Sequence, residues 1–433
     1  MIDIDYLRKN PETVKTKSKQ KGFDIDIELI IDTDNQRKKI LSEIESLRQK
    51  RNQLSEKGKQ DVRSDDFIKE ARDLKQSLTD LETRFNELDA KLITFMREVP
   101  NMSLDDVPVG FSEEENVVSK QVGKIPQFTF KAKAHHELAE KLDLIDNVRA
   151  AKISGSRFAY IKNDLVKLQF AIINFVMDVL TNEVIIKKLI DENSLNLVSK
   201  PFTPILPPAL IKTEPYVASS RLNAEEVTYK IEQDDLWLNA SAEHSLCTMY
   251  WNEILPEEVL PIRYIGYATS FRREAGTYGK DTEGIFRMHQ FDKLEMEIFS
   301  SAETGLDEHY LMIAVQEYLM QQLKLPYRVL QKCTADIGKP NARGIDIEVW
   351  LPGQNQYRET HTADYMTDYQ ARDLKIRSKK GSEETKLLHT NDATAFALGR
   401  IMIAIMENYQ TEKGEISVPE VLIPYMMGKT IIK

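Results

Sequence analysis

Between Phe286 and Ile298 the sequence FRMHQFDKLEMEI alternates with period two. Arg287, His289, Phe291, Lys293, Glu295 and Glu297 share one face of an extended strand, and Phe286, Met288, Leu294, Met296 and Ile298 share the other. Upstream, Arg272 and Glu274 fall on one face of the preceding strand of a hairpin. Two arginines, an aromatic ring and two carboxylates on one sheet surface suit a nucleotide: guanidinium groups for phosphate oxygens, a ring for stacking, carboxylates for ammonium or amide donors. The same pattern also describes an exposed strand face laced with cross-strand ion pairs.

A second unusual element is ATAFALGRIMIAIMENYQ, where Arg400 is the only basic residue on an apolar helix read near residues 393 to 409. An unpartnered buried guanidinium is very costly, so Arg400 must meet a carboxylate or a ligand anion. Glu359 follows the strand IDIEVWLPG and can offer an oxygen to magnesium. There is no GxxxxGK[ST] loop, no GxGxxG after a strand and no GxSxG elbow, so phosphate would be held by arginines and the chemistry would be positional and electrostatic.

These residues need a scaffold. The chain has 433 residues, 41% hydrophobic, enough for two domains or for one with an appendage. Its net charge of -10 argues against a surface that is basic everywhere but leaves room for local basic patches. No run of about 18 apolar residues exists to cross a membrane. The opening MIDIDYLRKNPE is neither a signal nor a transit peptide, so a cytoplasmic location is expected. Cys247 and Cys333 lie far apart without a zinc-like spacing, so both read as buried hydrophobes, with no disulfide framework and no structural zinc.

From Phe67 the apolar positions Phe67, Ala71, Leu74, Leu78, Leu81, Phe85, Leu88, Leu92 and Phe95 form a heptad seam, preceded by a weaker one at Ile40, Ile44, Leu47 and Leu54. An antiparallel helical hairpin follows, turning in SEKGKQDVRSDD near Gly58. A helix over residues 66 to 98 would be roughly 50 Å long and is expected to protrude; the alternatives are a pair packed flat on the body or a dimerisation coil. The basic tip RQKRNQLSEKGKQ reads equally as a solvated face. Pro100 ends the second helix and a polar linker places a domain boundary near residue 105. Beyond it, helical patterns near 133 to 145 and 157 to 190 and a series of short strands predict an antiparallel α+β body without βαβ repeats.

With these residues identified, the chain resembles seryl-tRNA synthetases of the bacterial and eukaryotic kind, class II aminoacyl-tRNA synthetases, over its whole length. FRREAGTYGKDTEGIFRMHQFDKLE resembles the second class-defining motif and GRIMIAIMENYQ the third, and the HIGH and KMSKS signatures of class I are missing. The resemblance implies an α+β fold with an antiparallel sheet flanked by helices and an N-terminal antiparallel coiled-coil arm. It divides the chain into a tRNA-binding domain, 1–104, and a catalytic domain, 105–433. It implies a homodimer, with the first motif around PILPPALI and Pro208 at the interface.

The implied reaction is ATP-dependent activation of L-serine, then transfer to serine tRNA, and to selenocysteine tRNA where present. Carried onto this sequence, Arg272 would hold the α-phosphate and the serine carboxylate, Glu274 the nucleotide, Arg287 and Arg400 the outer phosphates, and Phe291 the adenine. Ser241, Glu243 and Glu295 would receive the serine ammonium side, and Thr394 the hydroxyl. Glu359 and Thr362 would hold magnesium with ATP. The arm would grip the long variable arm of the tRNA.

Several positions depart from the family's pattern: Ser241 stands for a usual Thr, Asp392 for an asparagine, Ala393 and Ala395 for glycines, and HTADY, His361 to Tyr365 with Asp364 in it, for a run rich in Ser and Asn. All are expected to touch the amino-acid pocket. An ionised Asp392 could still accept from the serine hydroxyl, so Asp392→Asn is expected to be tolerated. The departures keep open a paralogue that activates another small amino acid or loads a different carrier; a third alternative is an inactive tRNA-binding homologue.

Overall fold

The computed structural model describes residues 1–57, 64–222, 227–274 and 284–433. The chain divides into two compact units, Met1–Met102 and Ser103–Lys433. The tip of the expected hairpin near Gly58 and the segment AGTYGKDTE of the second motif lie outside the described residues.

In the first unit, α1 (Ile4–Lys9) and α2 (Pro11–Gln20) precede two long helices, α3 (Ile27–Lys57) and α4 (Asp65–Glu98). The Ser64 hydroxyl caps α4 by accepting from the Phe67 amide at 3.2 Å. Ile40, Ile44 and Leu78 are buried in the seam between α3 and α4, with Leu47, Leu74, Leu81, Phe85 and Leu88 packed around them. Ion pairs flank the seam, Arg37–Asp89 at 3.0 Å and Arg48–Glu82 at 2.8 Å. At its base the buried Asp34 carboxylate receives Arg8 at 2.7 Å, Arg37 at 3.0 Å and Lys38 at 3.1 Å, which fixes the root of α3 against α1.

The second unit is built on one eight-stranded sheet. In chain order its strands are β1 (Val117–Val122), β2 (Thr203–Ile205), β3 (Ile262–Phe271), β4 (Gln290–Ser300), β5 (Tyr327–Gln331), β6 (Arg343–Leu351), β7 (Gln356–Thr367) and β8 (His389–Ala397). Their spatial order is β1-β5-β6-β7-β8-β4-β3-β2, antiparallel throughout except where β2 runs parallel to β3. The helices α5 (Asn163–Leu180), α6 (Glu183–Glu192), α7 (Gly305–Gln322) and α8 (Leu398–Asn408) accompany it. Leu311, Val315 and Leu319 of α7 and Ile401 and Ile405 of α8 share one core with Leu294, Met296 and Ile298 of β4, so helices cover the apolar face of the hairpin strand. Arg263 of β3, fully buried, makes a two-pronged ion pair with Glu308 of α7, both contacts at 2.8 Å, and ties sheet to helix.

Among the described residues no single helix is long and apolar enough to cross a membrane; α5 and α6 are bent by 68° at their junction and both bury residues in the core. The final helix is shorter than its apolar run suggests: residues 393 to 397 belong to β8, because a strand buried on both faces is as continuously apolar as a buried helix. Both cysteines are buried and unpaired.

Candidate active site

The face of the sheet opposite α7 and α8 carries the polar residues, and strand register sets their spacing. On β4, Glu295 stands opposite Thr394 of β8 and Glu297 opposite Asp392; Asp392 in turn stands opposite Asp364 of β7. A bulge at Ala395 lets Thr394 face Glu295 while Phe396 faces Leu294 in the core. A second bulge at Thr360 of β7 matters more. Three residues apart, Glu359 and Thr362 would face opposite ways in a regular strand, but the extra residue puts Thr362 opposite Asp346 and Glu359 opposite Glu348 of β6, on one face. Gln316 of α7 donates to the carbonyls of Thr362 and Thr394, both at 2.8 Å, and so holds the two bulged strands together.

At one end of this surface Lys293, Glu295, Glu243, Ser241 and Thr394 converge. Lys293 Nζ lies 2.9 Å from Glu295, 3.7 Å from Glu243 and 3.0 Å from Ser241 Oγ, the Ser241 hydroxyl donates to Glu243, and Thr394 Oγ1 lies 3.3 Å from Glu295. Ser241 and Glu243 are presented by the short helix Ala242–Leu246, where His244 sits 3.5 Å from Glu243 and bonds the Tyr216 hydroxyl at 2.5 Å. One ammonium thus serves two carboxylates. Against the cost of burial, Lys293 and then His244 hold the Glu243 carboxyl well below the usual range. Burial pushes Glu295 well above that range, with the charge of Glu243 adding to it.

At the other end Arg400, two residues into α8, meets Glu359 at 3.1 Å as its apolar surroundings require, and also donates to the Glu359 carbonyl at 2.9 Å. Its side chain is 21% exposed, more open than an arginine on an apolar helix implied. Arg400 and Arg358 both lie over the Phe286 ring, with guanidinium carbons 5.1 and 4.1 Å from its centroid. Although burial alone would raise it, the Glu359 carboxyl is drawn below its ordinary value by Arg400 and Lys332. Asp346, 3.7 Å from Lys332, is pushed up to about 7 chiefly by burial.

Between the two ends, the Arg272 guanidinium lies over the Phe291 ring at 5.4 Å and its Nε donates to the Ala240 carbonyl at 3.0 Å. Arg272 and Glu274 do not share a strand face: β3 stops at Phe271 and Glu274 has a left-handed backbone, φ 47°. Nor does Arg287 lie on the strand, since β4 starts at Gln290. Arg287 reaches Glu274 across the hairpin at 3.2 Å, and Arg157 donates to the Glu274 carbonyl. The two residues still meet, by an ion pair beyond the strand ends instead of by alternation.

The departures sort differently from expectation. His361 stands opposite Ile347, packs on Phe396 at 5.2 Å and bonds Thr360 at 2.8 Å, and burial pulls its pKa down to about 3; it belongs to the core face. Ala393 and Ala395 are likewise core residues. Asp364 and Asp392 do lie on the polar face, but Asp392 is not a free acceptor, because Arg221 pairs with it. The expectation that Asp392→Asn is tolerated is therefore corrected: the change strands a mostly buried guanidinium.

Sequence reading also missed Lys293, Lys332, Asp346 and Arg221 as members of the site. The spacing of Lys293 two before Glu295, and the Asp346/Glu348 alternation inside IDIEVWLPG, were available signals. Arg221 lies in coil with no periodicity to announce it.

Glu297 is fully buried and, among the described residues, neither of its oxygens has a hydrogen-bond partner. Burial, then the neighbouring Asp392, raises its pKa well above the ordinary value. The folded chain therefore keeps a proton that the unfolded chain releases near pH ~4.3, so stability from this group is full below that pH and is lost as pH rises. Glu297→Gln has no proton to lose. Its unfolding free energy is expected to fall with pH less steeply than wild type, by up to about 1.4 kcal/mol per pH unit between roughly pH 5 and pH 7. Denaturant titrations of both proteins at each pH check this, and identical slopes would show that Glu297 ionises freely.

Residues 228–409 match the tRNA synthetase class II core domain (G, H, P, S and T), and residues 1–103 match the seryl-tRNA synthetase N-terminal domain. The serine–tRNA ligase of Nitrosopumilus maritimus is 36% identical over 98% of this chain and 99% of its own length, and that of Desulfotalea psychrophila 37% identical over 99% and 100%. The structure of seryl-tRNA synthetase from Pyrococcus horikoshii complexed with ATP superposes with a TM-score of 0.87 at 35% identity, covering 100% of this chain and 99% of that one. The chain belongs to the seryl-tRNA synthetase family.

Proposed function

We propose that the chain condenses L-serine with ATP to seryl-adenylate and pyrophosphate, then transfers the seryl group to the 3′-terminal ribose of serine tRNA, and of selenocysteine tRNA where present. The observation that carries this is the Lys293 ammonium shared by Glu243 and Glu295, beside the hydroxyls of Ser241 and Thr394. A substrate ammonium supplies a second positive charge, which favours the ionised form of Glu295. The serine carboxylate lies toward Arg272 and the serine hydroxyl toward Thr394 and Asp392. ATP stacks its adenine on Phe291, with Glu274 on the nucleotide and Arg287 and Arg400 on the outer phosphates. A carboxylate oxygen attacks the α-phosphorus and pyrophosphate leaves; Arg272 is placed to stabilise the charge that develops there.

Magnesium would be held by Glu359 and Thr362, whose oxygens share a face because of the Thr360 bulge and whose carboxylate stays ionised. Among the described residues no three His, Cys, Asp or Glu side chains are grouped to hold a metal ion alone, which fits an ion carried mainly by ATP phosphates and water. When bound, it neutralises phosphate charge. The α3–α4 hairpin binds the long variable arm of the tRNA by backbone contacts and shape. The enzyme works as a homodimer through the region around Pro208, in the cytoplasm.

Pyrophosphate exchange with a panel of amino acids tests this assignment. Serine is expected to be activated and threonine weakly. Alanine, which leaves a buried polar group unpaired, is expected to be rejected by about 10⁴-fold, with Thr394→Val badly impaired toward serine. Alanine or glycine activated as well as serine would instead favour a paralogue for another small amino acid.

A further inference from the structure

Glu297, Asp392 and Asp364 stand directly opposite one another on three adjacent strands, and each is at most 5% exposed. Three carboxyls so placed cannot all ionise, since burial strengthens the repulsion between those that do. Lys293 is committed to Glu295 and Glu243, and Lys332 stands by Asp346 on β6, the strand next to that of Asp364. The cation paired with the central carboxyl of the row is Arg221, whose Nη2 bonds Asp392 Oδ2 and lies 3.6 Å from Met366 Sδ. Its side chain is 14% exposed, and no residue of the nucleotide end touches the pair among the described contacts. Asp392 lies two residues from Thr394, the hydroxyl that meets Glu295.

We propose that Arg221 is a positioning residue for amino-acid selection: it holds Asp392 as a neutral pair beside Thr394, orienting one oxygen for the substrate hydroxyl and leaving the substrate ammonium to Glu295. The proposal rests on the serine-activating assignment above. Each end of the pair is tolerable only with the other. Without Arg221, the Asp392 carboxylate competes with Glu295 for the ammonium; without Asp392, the Arg221 guanidinium competes with Arg272 for the substrate carboxylate. Removing both leaves no stranded charge.

The test compares wild type, R221M, D392N and R221M/D392N in pyrophosphate exchange, varying serine at saturating ATP and ATP at saturating serine, with thermal melting of each. Each single variant is expected to raise the KM for serine by about tenfold or more, with the KM for ATP changed by less than about twofold, and the double variant to recover serine KM to within about threefold of wild type. Wild-type serine KM in R221M, an equal rise in both KM values, or a double variant as poor as the product of the singles would overturn the proposal. If a single variant melts below the assay temperature, the double variant decides: recovered serine KM supports the pair, and a tenfold rise contradicts it. A wild type that activates another amino acid instead would overturn only the serine assignment, and the same four proteins assayed with that amino acid would still decide the role of Arg221.

Discussion

Arg272→Ala is expected to reduce adenylate formation by about a thousandfold or more, because the guanidinium lies between the proposed amino-acid and nucleotide ends of the site. The fold should tolerate the change. Arg272 lies beyond the end of β3, and what it gives the resting protein is a contact over Phe291 and a hydrogen bond to the Ala240 carbonyl. Losing one such bond costs about 1 kcal/mol, a shift of roughly 2 °C in melting temperature for a body of this size. Melting curves and pyrophosphate exchange on the same preparation separate the two effects. Exchange near the wild-type rate would remove Arg272 from the reaction, and a collapse in melting temperature would make it a structural residue.

Shortening the helical hairpin is expected to do the reverse. Residues 42 to 86 can be replaced by a short Gly/Ser linker while keeping Asp34 with its three cations and the Arg37–Asp89 pair at the root. The truncated protein should form seryl-adenylate at close to the wild-type rate, since every residue proposed for the reaction lies in the unit Ser103–Lys433. Charging of tRNA should fall by about a hundredfold or more, and the affinity of the full-length protein for tRNA should fall steeply with salt as phosphate contacts are lost. Charging at full efficiency by the truncated protein would assign the hairpin to packing or dimerisation instead.

How far these residues could be read without coordinates depended on whether their placement is local. The α3–α4 seam was legible because heptads repeat within one segment, and α4 begins within one residue of its expected start. The polar stripe of β4 was legible for the same reason, period two within one strand. Register between strands was not. Nothing in QYRETHTADY announces that Thr360 bulges, yet that bulge puts Glu359 and Thr362 on one face and turns His361 into the core. The Arg221–Asp392 pair joins residues 171 positions apart, and coil has no period from which its partner could be inferred. The charge of Arg400 was the exception: a cation on an apolar helix forces a partner, and Glu359 provides it.

The most direct measurement is the identity of the amino acid this protein esterifies to tRNA. The purified full chain, ATP, magnesium, deacylated total tRNA and an equimolar mixture of the twenty amino acids are incubated together, and the product is released by mild alkali and identified by mass spectrometry. Serine alone, on the serine-accepting tRNAs, is the predicted result. Another amino acid on the tRNA, or no esterified amino acid from a protein that still exchanges pyrophosphate with serine, would contradict it.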